Sequence, residues 1–565
     1  MVPAIDSTLP SSASAVTTSK VCHCDLPVPD CLRPLKATVM SLPPELLVMV
    51  FEYLDAPLVE ARERNCDVQS ATRNTMDNNE RVTRGNVFPY PYVDVCRHWT
   101  NIILGVPRFW TNAVVFIGPR EKVYGNHIGG AETIFSASRT LPFDVTIRST
   151  KLDPKLDPAG WFGDLDLDDL EHEQSDIVRI LGLLVPHLHR CRSLSLYTLL
   201  LGAMPLVYRH LDGPAPLLKV LTFQTDNITD RDEQPPYGLQ MKLPSDVTRV
   251  ASAFAPPLEK LVVDGISFRD VHKHHARIAE TYGAHLVVLA LTNYAPDSHF
   301  RDPNYQPLCA GAMARALAPL AHLDALKLSH VHFDEEDDAE EEALGPADLN
   351  IRALFVEGMD DDSLVQLFSR ATFPQLDDLW FKGCWPGYEY DPGVLPTDVP
   401  FLTLEGISYA HVTDLAAALC DWDVYAIRAC AASAFDDCVL DMLSEPRDPD
   451  VASVDATPMT EFGCDALRQL SVLACSSVSI AALKRMVLSR NRWVDYDDPK
   501  WRSNAPVGPA IQALILWEQA HQPTLMITPE DEAWFHARVA SFQFHSYVDA
   551  RLEFEDSELY FHADP

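Results

Sequence analysis

The sequence predicts an α/β chain: a small helical module near the N-terminus, followed by a long array of strand-and-helix units. Three observations carry this expectation. A stretch with one broad apolar stripe at helical spacing stands at about 43–54. One short apolar pattern then returns along most of the chain, at steps of 23 to 45 residues. Between its copies lie segments with the three-and-four spacing of amphipathic helices. The chain has 565 residues. Single cores stop growing near ~250–300 residues, so several modules or an elongated array are required.

Residues 1–40 are rich in Ser, Thr, Pro and Ala and are expected to be a disordered lead-in. A module over 41–116 follows. Ser41 can cap a helix, the prolines at 43 and 44 are tolerated in a first turn, and Glu45 suits the positive end of the helix dipole. Leu46, Leu47, Val50, Phe51 and Leu54 then form one stripe. Residues 55–92 are largely polar and are read as an insertion, closed by the breaker Phe88-Pro89-Tyr90-Pro91. A second helix is expected through Val93, Val95, Cys96, Trp99, Ile102 and Ile103, stopping at Gly105-Val106-Pro107. Phe109, Trp110 and a strand at Ala113–Phe116 complete the module.

The recurring pattern is apolar, two variable, apolar, one variable, apolar. It starts at Leu218, Leu258, Leu286, Leu323, Ile351, Leu376 and Val399, with weaker copies at Cys191, Trp422, Leu467 and Ile511. Helix-like stretches lie between strands, with starts expected at Ser175-Asp176 and at Ser479. Several steps fall inside the ~20–29-residue period of leucine-rich repeats. The array is placed at 131–520 and a C-terminal cap segment at 521–565. Variable positions hold Lys, Asp, Thr and Ser, so one strand face is expected to be solvated. That favours a repeat array over an ordinary α/β domain, whose parallel strands are buried on both faces. Strand alternation sends Ala353, Phe355 and Glu357, Asp378, Trp380 and Lys382, and Phe401, Thr403 and Glu405 to the face away from the core. Phe355, Glu357, Trp380, Lys382, Phe401 and Glu405 are therefore the candidate face for a protein target.

Lys and Arg total 45 against 81 Asp and Glu, a net charge of −36. Such a polyanion repels phosphate backbones and anionic lipid, so neither nucleic acid nor membrane is expected as a partner. Thirteen cysteines without framework spacing fit a reducing, intracellular compartment, cytoplasmic or nuclear. The first residues lack the pattern of a secretory signal. Cys22-His23-Cys24 with Cys31, and His272 with His274 and His275, lack the spacing of a metal site and are read as solvated. The run Asp334–Glu342 holds eight acids in nine residues and is read as a solvated loop insertion. GxSxG, GxGxxG, P-loop and HExxH motifs are absent from the sequence. No enzyme activity, cofactor or metal is expected.

The segment Leu42–Val115 resembles the F-box. The resemblance rests on Leu42-Pro43 with Glu45-Leu46-Leu47, then Val50-Phe51 with Tyr53-Leu54, then Val95-Cys96-Arg97-His98-Trp99. Val106-Pro107-Arg108-Phe109-Trp110 and Leu141–Ile147 are similar to fungal-type F-box proteins that continue into irregular leucine-rich repeats. The resemblance implies a helical module that binds the Skp-type adaptor, and through it a cullin, with repeats that hold the substrate of a ubiquitin ligase. Leu42, Pro43, Glu45, Leu46, Val50, Phe51 and Leu54 would meet the adaptor. Val95, Cys96, Trp99 and Trp110 would fill the module's core. The sequence departs from the family in its long insertion, and in having Cys384 as nearly the only Asn or Cys after a repeat strand. A leucine-rich-repeat scaffold whose F-box no longer recruits the ligase is the alternative.

Overall fold

The computed structural model describes residues 42–65, 89–117, 127–149, 167–198, 210–225, 254–268, 283–294, 308–334, 345–385, 395–445, 464–494, 510–517 and 525–545, apart from 94, 212, 255, 266–267, 397, 465, 493 and 526. It falls into two compact units, Met1–Glu52 and Tyr53–Pro565. The 1–40 segment, both Cys/His clusters and most of the 55–92 insertion lie outside the described residues.

Helix α1 (Pro44–Asn65) starts as the prolines direct, with Leu46 and Leu47 N–H donating to the Pro43 carbonyl at 3.0 and 3.1 Å. It was expected to end near Leu54 but runs on to Asn65. The added turns carry Leu58, Glu60, Ala61, Arg62, Glu63 and Arg64, all good helix formers. The second expected helix is two pieces, α2 (Tyr90–Val93) and α3 (Arg97–Gly105). Cys96 breaks them with an extended backbone at φ −167°, ψ 160°.

In the larger unit the described strands build one parallel sheet of fourteen, each pairing with its successor in chain order. These are β1 (Asn112–Ile117), β2 (Phe143–Ser149), β3 (Cys191–Thr198), β4 (Val220–Thr225), β5 (Lys260–Asp264), β6 (Val288–Tyr294) and β7 (Ala325–Val331). They continue as β9 (Ala353–Glu357), β11 (Asp378–Lys382), β12 (Phe401–Glu405), β13 (Ala426–Cys430), β14 (Gln469–Leu473), β15 (Ala513–Trp517) and β16 (Ser541–His545). A two-stranded parallel pair, β8 (Ala347–Asp348) and β10 (Ala371–Thr372), stands apart from it. The protein is thus α/β with a large parallel sheet.

Register turns the recurring pattern into a core. Its second apolar position forms one cross-strand row, Leu194, Leu221, Leu261, Leu289, Leu326, Leu354, Leu379, Leu402, Leu470 and Leu514, which Phe542 extends; in β13 the row takes Ile427, the third apolar position of the copy expected at Trp422, which starts two residues too early. All are buried, and each such side chain contributes about 2 kcal/mol of burial free energy. Helices cover this apolar face. Phe135 of α4 (His127–Ala137) lies 5.7 Å from Phe143. Phe368 of α7 (Asp361–Arg370) and Phe535 of α11 (Pro529–Arg538) lie 6.1 and 5.1 Å from Phe381 and Phe542. The remaining helices are α5 (Leu167–Leu184), α6 (Ala310–Leu317), α8 (Val412–Asp421), α9 (Asp437–Ser444) and α10 (Ile480–Arg490). Ser479 caps α10 as expected, accepting from Ala482 N–H. Ser175 does not start α5; it sits inside it.

A second recurrence appears only in the backbone. The residue after the cross-strand row Thr292, Ser329, Glu357, Lys382, Glu405, Cys430 and Leu473 has positive φ in all seven strands: Asn293, His330, Gly358, Gly383, Gly406, Ala431 and Ala474. This left-handed step turns the N–H toward the next strand, where Gly358, Gly383, Gly406 and Ala431 donate to Lys382, Glu405, Cys430 and Leu473 carbonyls at 2.8–2.9 Å. Gly358 (φ +58°) and Gly383 (φ +61°) separate two costs. A Cβ at Gly383 would meet nothing within 4 Å, whereas one at Gly358 would strike the His330 imidazole. Gly383→Ala should lose about 1 kcal/mol, the left-handed penalty alone. Gly358→Ala should lose more than Gly383→Ala, because the exposed His330 ring must also swing aside. Urea melts of the two variants check the order.

Candidate functional site

Two surfaces carry the residues singled out in the sequence. The first is on α1. Its stripe splits by exposure: Leu47 and Phe51 are wholly buried, while Leu46, Val50 and Leu54 are 45%, 45% and 36% exposed. Leu42 is half-buried, and Pro43 and Glu45 are exposed. Met49 and Tyr53, outside the expected contact set, are the most exposed of all at 62% and 80%. They follow Leu46 at three and seven residues, which on a helix places them beside it.

The expected module core is only partly internal. Trp110 is buried and donates its Nε1–H to the Ile103 carbonyl at 2.9 Å. Cys96 and Trp99 are half-buried, with the Trp99 ring 6.4 Å from Tyr92. Val95 is not core; the turn before α3 leaves it 55% exposed.

The second surface is the polar face of the sheet. The expected grouping is present in register: Ala353, Asp378 and Phe401 form one row, Phe355, Trp380 and Thr403 the next, and Glu357, Lys382 and Glu405 the third. The expected solvated strand face is missing from β4, β5, β6, β7 and β9, which are buried on both faces along most of their length, and among the named residues exposure fails at two positions. Phe355 and Glu357 are each only 6% exposed. Phe355 packs under Trp380, ring centroids 5.5 Å apart, in a cluster with Val288 and Ala325. Trp380, Lys382, Phe401 and Glu405 are half-buried.

Glu357 is the hub of an ion-pair ladder across four strands. Lys327 Nζ lies 3.0 Å from its Oε2, and Lys382 Nζ lies 3.2 Å from its Oε1 and 3.5 Å from Glu405 Oε1. Ser329 Oγ donates to Glu357 Oε2 at 2.9 Å. Burial alone would push the Glu357 carboxyl up. The Lys327 and Lys382 ammonium groups, with hydrogen bonds from Lys327 and Ser329, outweigh that and hold it at about 2.

The strand ends hold a second polar cluster. His332 Nδ1 lies 2.6 Å from Asp360 Oδ2, and Asp360 caps α7 by accepting from Ser363 N–H. Asp334, read as the first residue of the solvated acidic run, is buried instead. It accepts from the Tyr294 hydroxyl and, at 2.7 Å, from Leu308 N–H. Residues 335–342 lie outside the described residues.

Among the described residues no group of three or more His, Cys, Asp or Glu side chains is placed to hold a metal ion. Burial pushes the Cys384 and Cys430 thiols up to about 11 and the Cys475 thiol to about 12, the Glu405 carboxylate adding to the effect at Cys430. These sulfurs stay protonated at neutral pH and are poor nucleophiles. Among the described residues no helix is long and apolar enough to cross a membrane. No protein-family model matches the chain, and no curated protein matches it.

Proposed function

We propose that the chain is a non-catalytic substrate receptor of a cullin–RING ubiquitin ligase. In this reading α1 is the adaptor-binding helix of an F-box-like module. The parallel sheet and its helices are an irregular leucine-rich-repeat-like array, which offers its polar face to a target protein. The receptor would act by tethering the target near the ubiquitin-loaded enzyme, which raises effective concentration.

The exposure on α1 carries the reading. Five of the nine residues from Leu46 to Leu54 are large, apolar and exposed. Contiguous apolar surface of this kind marks interaction sites. The ordered sequence motifs from Leu42 to Trp110 say which partner such a surface fits.

The test is a pulldown of a Skp-type adaptor and its cullin with the full chain. Leu46→Ala combined with Val50→Ala removes exposed side chains, so folding should be unchanged. Adaptor binding should weaken roughly thirtyfold or more, the effect of losing ~2 kcal/mol at a hot spot. Undiminished binding in the double variant, or no binding by the parent chain, would reject the ligase assignment.

A further inference from the structure

The two ends of the sheet differ. β1 stands at one end with five of its six residues buried. β16 stands at the other, and of its five residues only Phe542 is buried. Among the described residues no strand pairs with its outer edge. Edge strands are commonly blunted by Lys, Pro or a bulge. Ser541-Phe542-Gln543-Phe544-His545 has none of these and pairs with β15 in unbroken register.

That edge continues an interface the sheet makes at every strand. The carbonyl just before each strand receives the first N–H of the next: Pro400, Tyr425, Arg468 and Gln512 accept from Ala426, Gln469, Ala513 and Ser541 at 2.9–3.2 Å. Ala540 holds this place before β16, and among the described residues nothing donates to its carbonyl. Ser541 bonds back to β15, so alternation turns the N–H and C=O of Phe542 and Phe544 outward. Residues with side chains on the polar face thus bond backward, and those facing the helices bond forward. Phe542 stacks on Phe535 of α11, centroids 5.1 Å apart, and Phe544 shares that side, half-buried. Ser541 and Gln543 are exposed on the other side. A strand added here must therefore bring apolar side chains at every second position.

Two facts select the occupant. A second copy would bring a further charge of −36 against this chain, whereas a basic segment is drawn in. A strand edge of five residues also falls short of the ~1,000 Å² that two folded proteins bury in a specific contact, while an extended segment needs only the edge. We propose that β16 is a strand-addition site, which takes an extended basic segment of a partner protein as a fifteenth parallel strand, its alternate apolar side chains beside Phe542 and Phe544. The proposal goes beyond the receptor reading and needs neither the adaptor nor the target site assigned to the polar face.

The test uses the full chain alone and the fluorescein-labelled peptide Lys-Val-Arg-Val-Lys-Val-Arg, unmodified or N-methylated at either its basic residues or its valines. In a parallel addition the basic residues bond to β16 and the valine amides point away; an antiparallel one reverses this. Fluorescence anisotropy should show saturable binding of the unmodified peptide. Methylation at the basic residues should weaken it roughly tenfold or more, and methylation at the valines should leave it unchanged. Both methylated peptides keep the charge, so general attraction to the polyanion does not separate them. Phe544→Pro removes an outward N–H and no bond to β15. It should bind the unmodified peptide roughly fivefold or more weaker than Phe544→Ala, which loses only the ring. Thermal melts accompany both variants, and the methylated pair, read on the parent chain, stands whatever they show. Equal affinity of the two methylated peptides, loss on valine methylation instead, or no saturable binding would overturn the proposal. So would a folded Phe544→Pro protein that binds as well as Phe544→Ala. A parent chain that sediments as a dimer, and as a monomer in Phe544→Pro, would give the edge to a second copy and overturn it too.

Discussion

Arg490→Met should destabilise the sheet unit by about 3 kcal/mol, more than any ordinary surface change. Arg490 ends α10 and is wholly buried. Its Nε–H donates to the Leu443 carbonyl at 2.8 Å, and both Nη groups donate to the Cys464 carbonyl at 3.1 Å. Leu443 lies in the last turn of α9, where carbonyls have no partner within the helix. Cys464 sits at φ 52° in the connection to β14. One guanidinium thus satisfies the end of one helix and the left-handed bend of the next connection. Met fills similar volume but donates nothing, leaving buried carbonyls at ~1–3 kcal/mol each. Relief of the buried charge returns part of that cost. Arg490→Lys should recover little, because a compact ammonium cannot reach both carbonyls as the planar fork does. Urea unfolding followed by tryptophan fluorescence gives the ranking. A loss below about 1 kcal/mol in Arg490→Met would mean that water replaces the fork.

Arg190 repeats the device near the other end of the sheet. Its guanidinium donates to the Phe135 carbonyl, to Ser138 Oγ at 2.6 Å and to the Leu141 carbonyl at 3.0 Å, and lies 4.4 Å over the Phe143 ring. Neither arginine was legible in the sequence. Each satisfies carbonyls distant along the chain, and no local spacing records that. A strand is different, because its pairing leaves a pattern every two residues. The pattern apolar-x-x-apolar-x-apolar locates the strands from β3 to β15, its second apolar position being the buried leucine row except in β13, where the start at Trp422 is two residues early and the row takes Ile427 in place of the exposed Tyr425. β16 carries the same pattern as Val539, Phe542 and Phe544, with Val539 and Phe542 buried. The copy has no leucine and lies in the segment expected to be a C-terminal cap, so leucine spacing alone does not mark it as a strand.

What alternation cannot report is depth. It tells which side chains share a face, and the rows through Phe355, Trp380 and Thr403 follow that rule. It does not tell whether neighbours on that face cover one another. Strands ~4.8 Å apart put a Trp beside a Phe and a Lys beside a Glu. Phe355 and Glu357 are therefore buried on a face expected to be solvated. The same limit applies to α1. A stripe of five apolar residues is wider than the contact that buries Leu47 and Phe51, and helical spacing alone does not say which edge stays exposed.

Glu357→Gln should cost on the order of 3 kcal/mol at neutral pH, with a pH signature that a packing defect would lack. The Lys327 and Glu357 side chains are only 10% and 8% exposed. Gln keeps the shape and accepts one hydrogen bond, but it leaves the Lys327 ammonium buried without its counter-charge. Lys382 suffers less, because it is 43% exposed and keeps Glu405 at 3.5 Å. The pH dependence follows from the carboxyl being held at about 2 when folded against 4.5 ordinarily. A carboxyl depressed by folding contributes stability that is complete above its unfolded pKa. That contribution falls away as pH drops from about 4.5 toward 2. Parent protein should lose stability across that window more steeply than Glu357→Gln, whose loss is already present at pH 7. Thermal melts of both proteins through the window measure the difference. Lys327→Met combined with Glu357→Gln removes both charges and should regain most of the lost stability, leaving Lys382 to Glu405. Parallel pH profiles for the parent and Glu357→Gln, or a double variant no better than Glu357→Gln, would show that Glu357 acts through packing and not as the hub of the ladder.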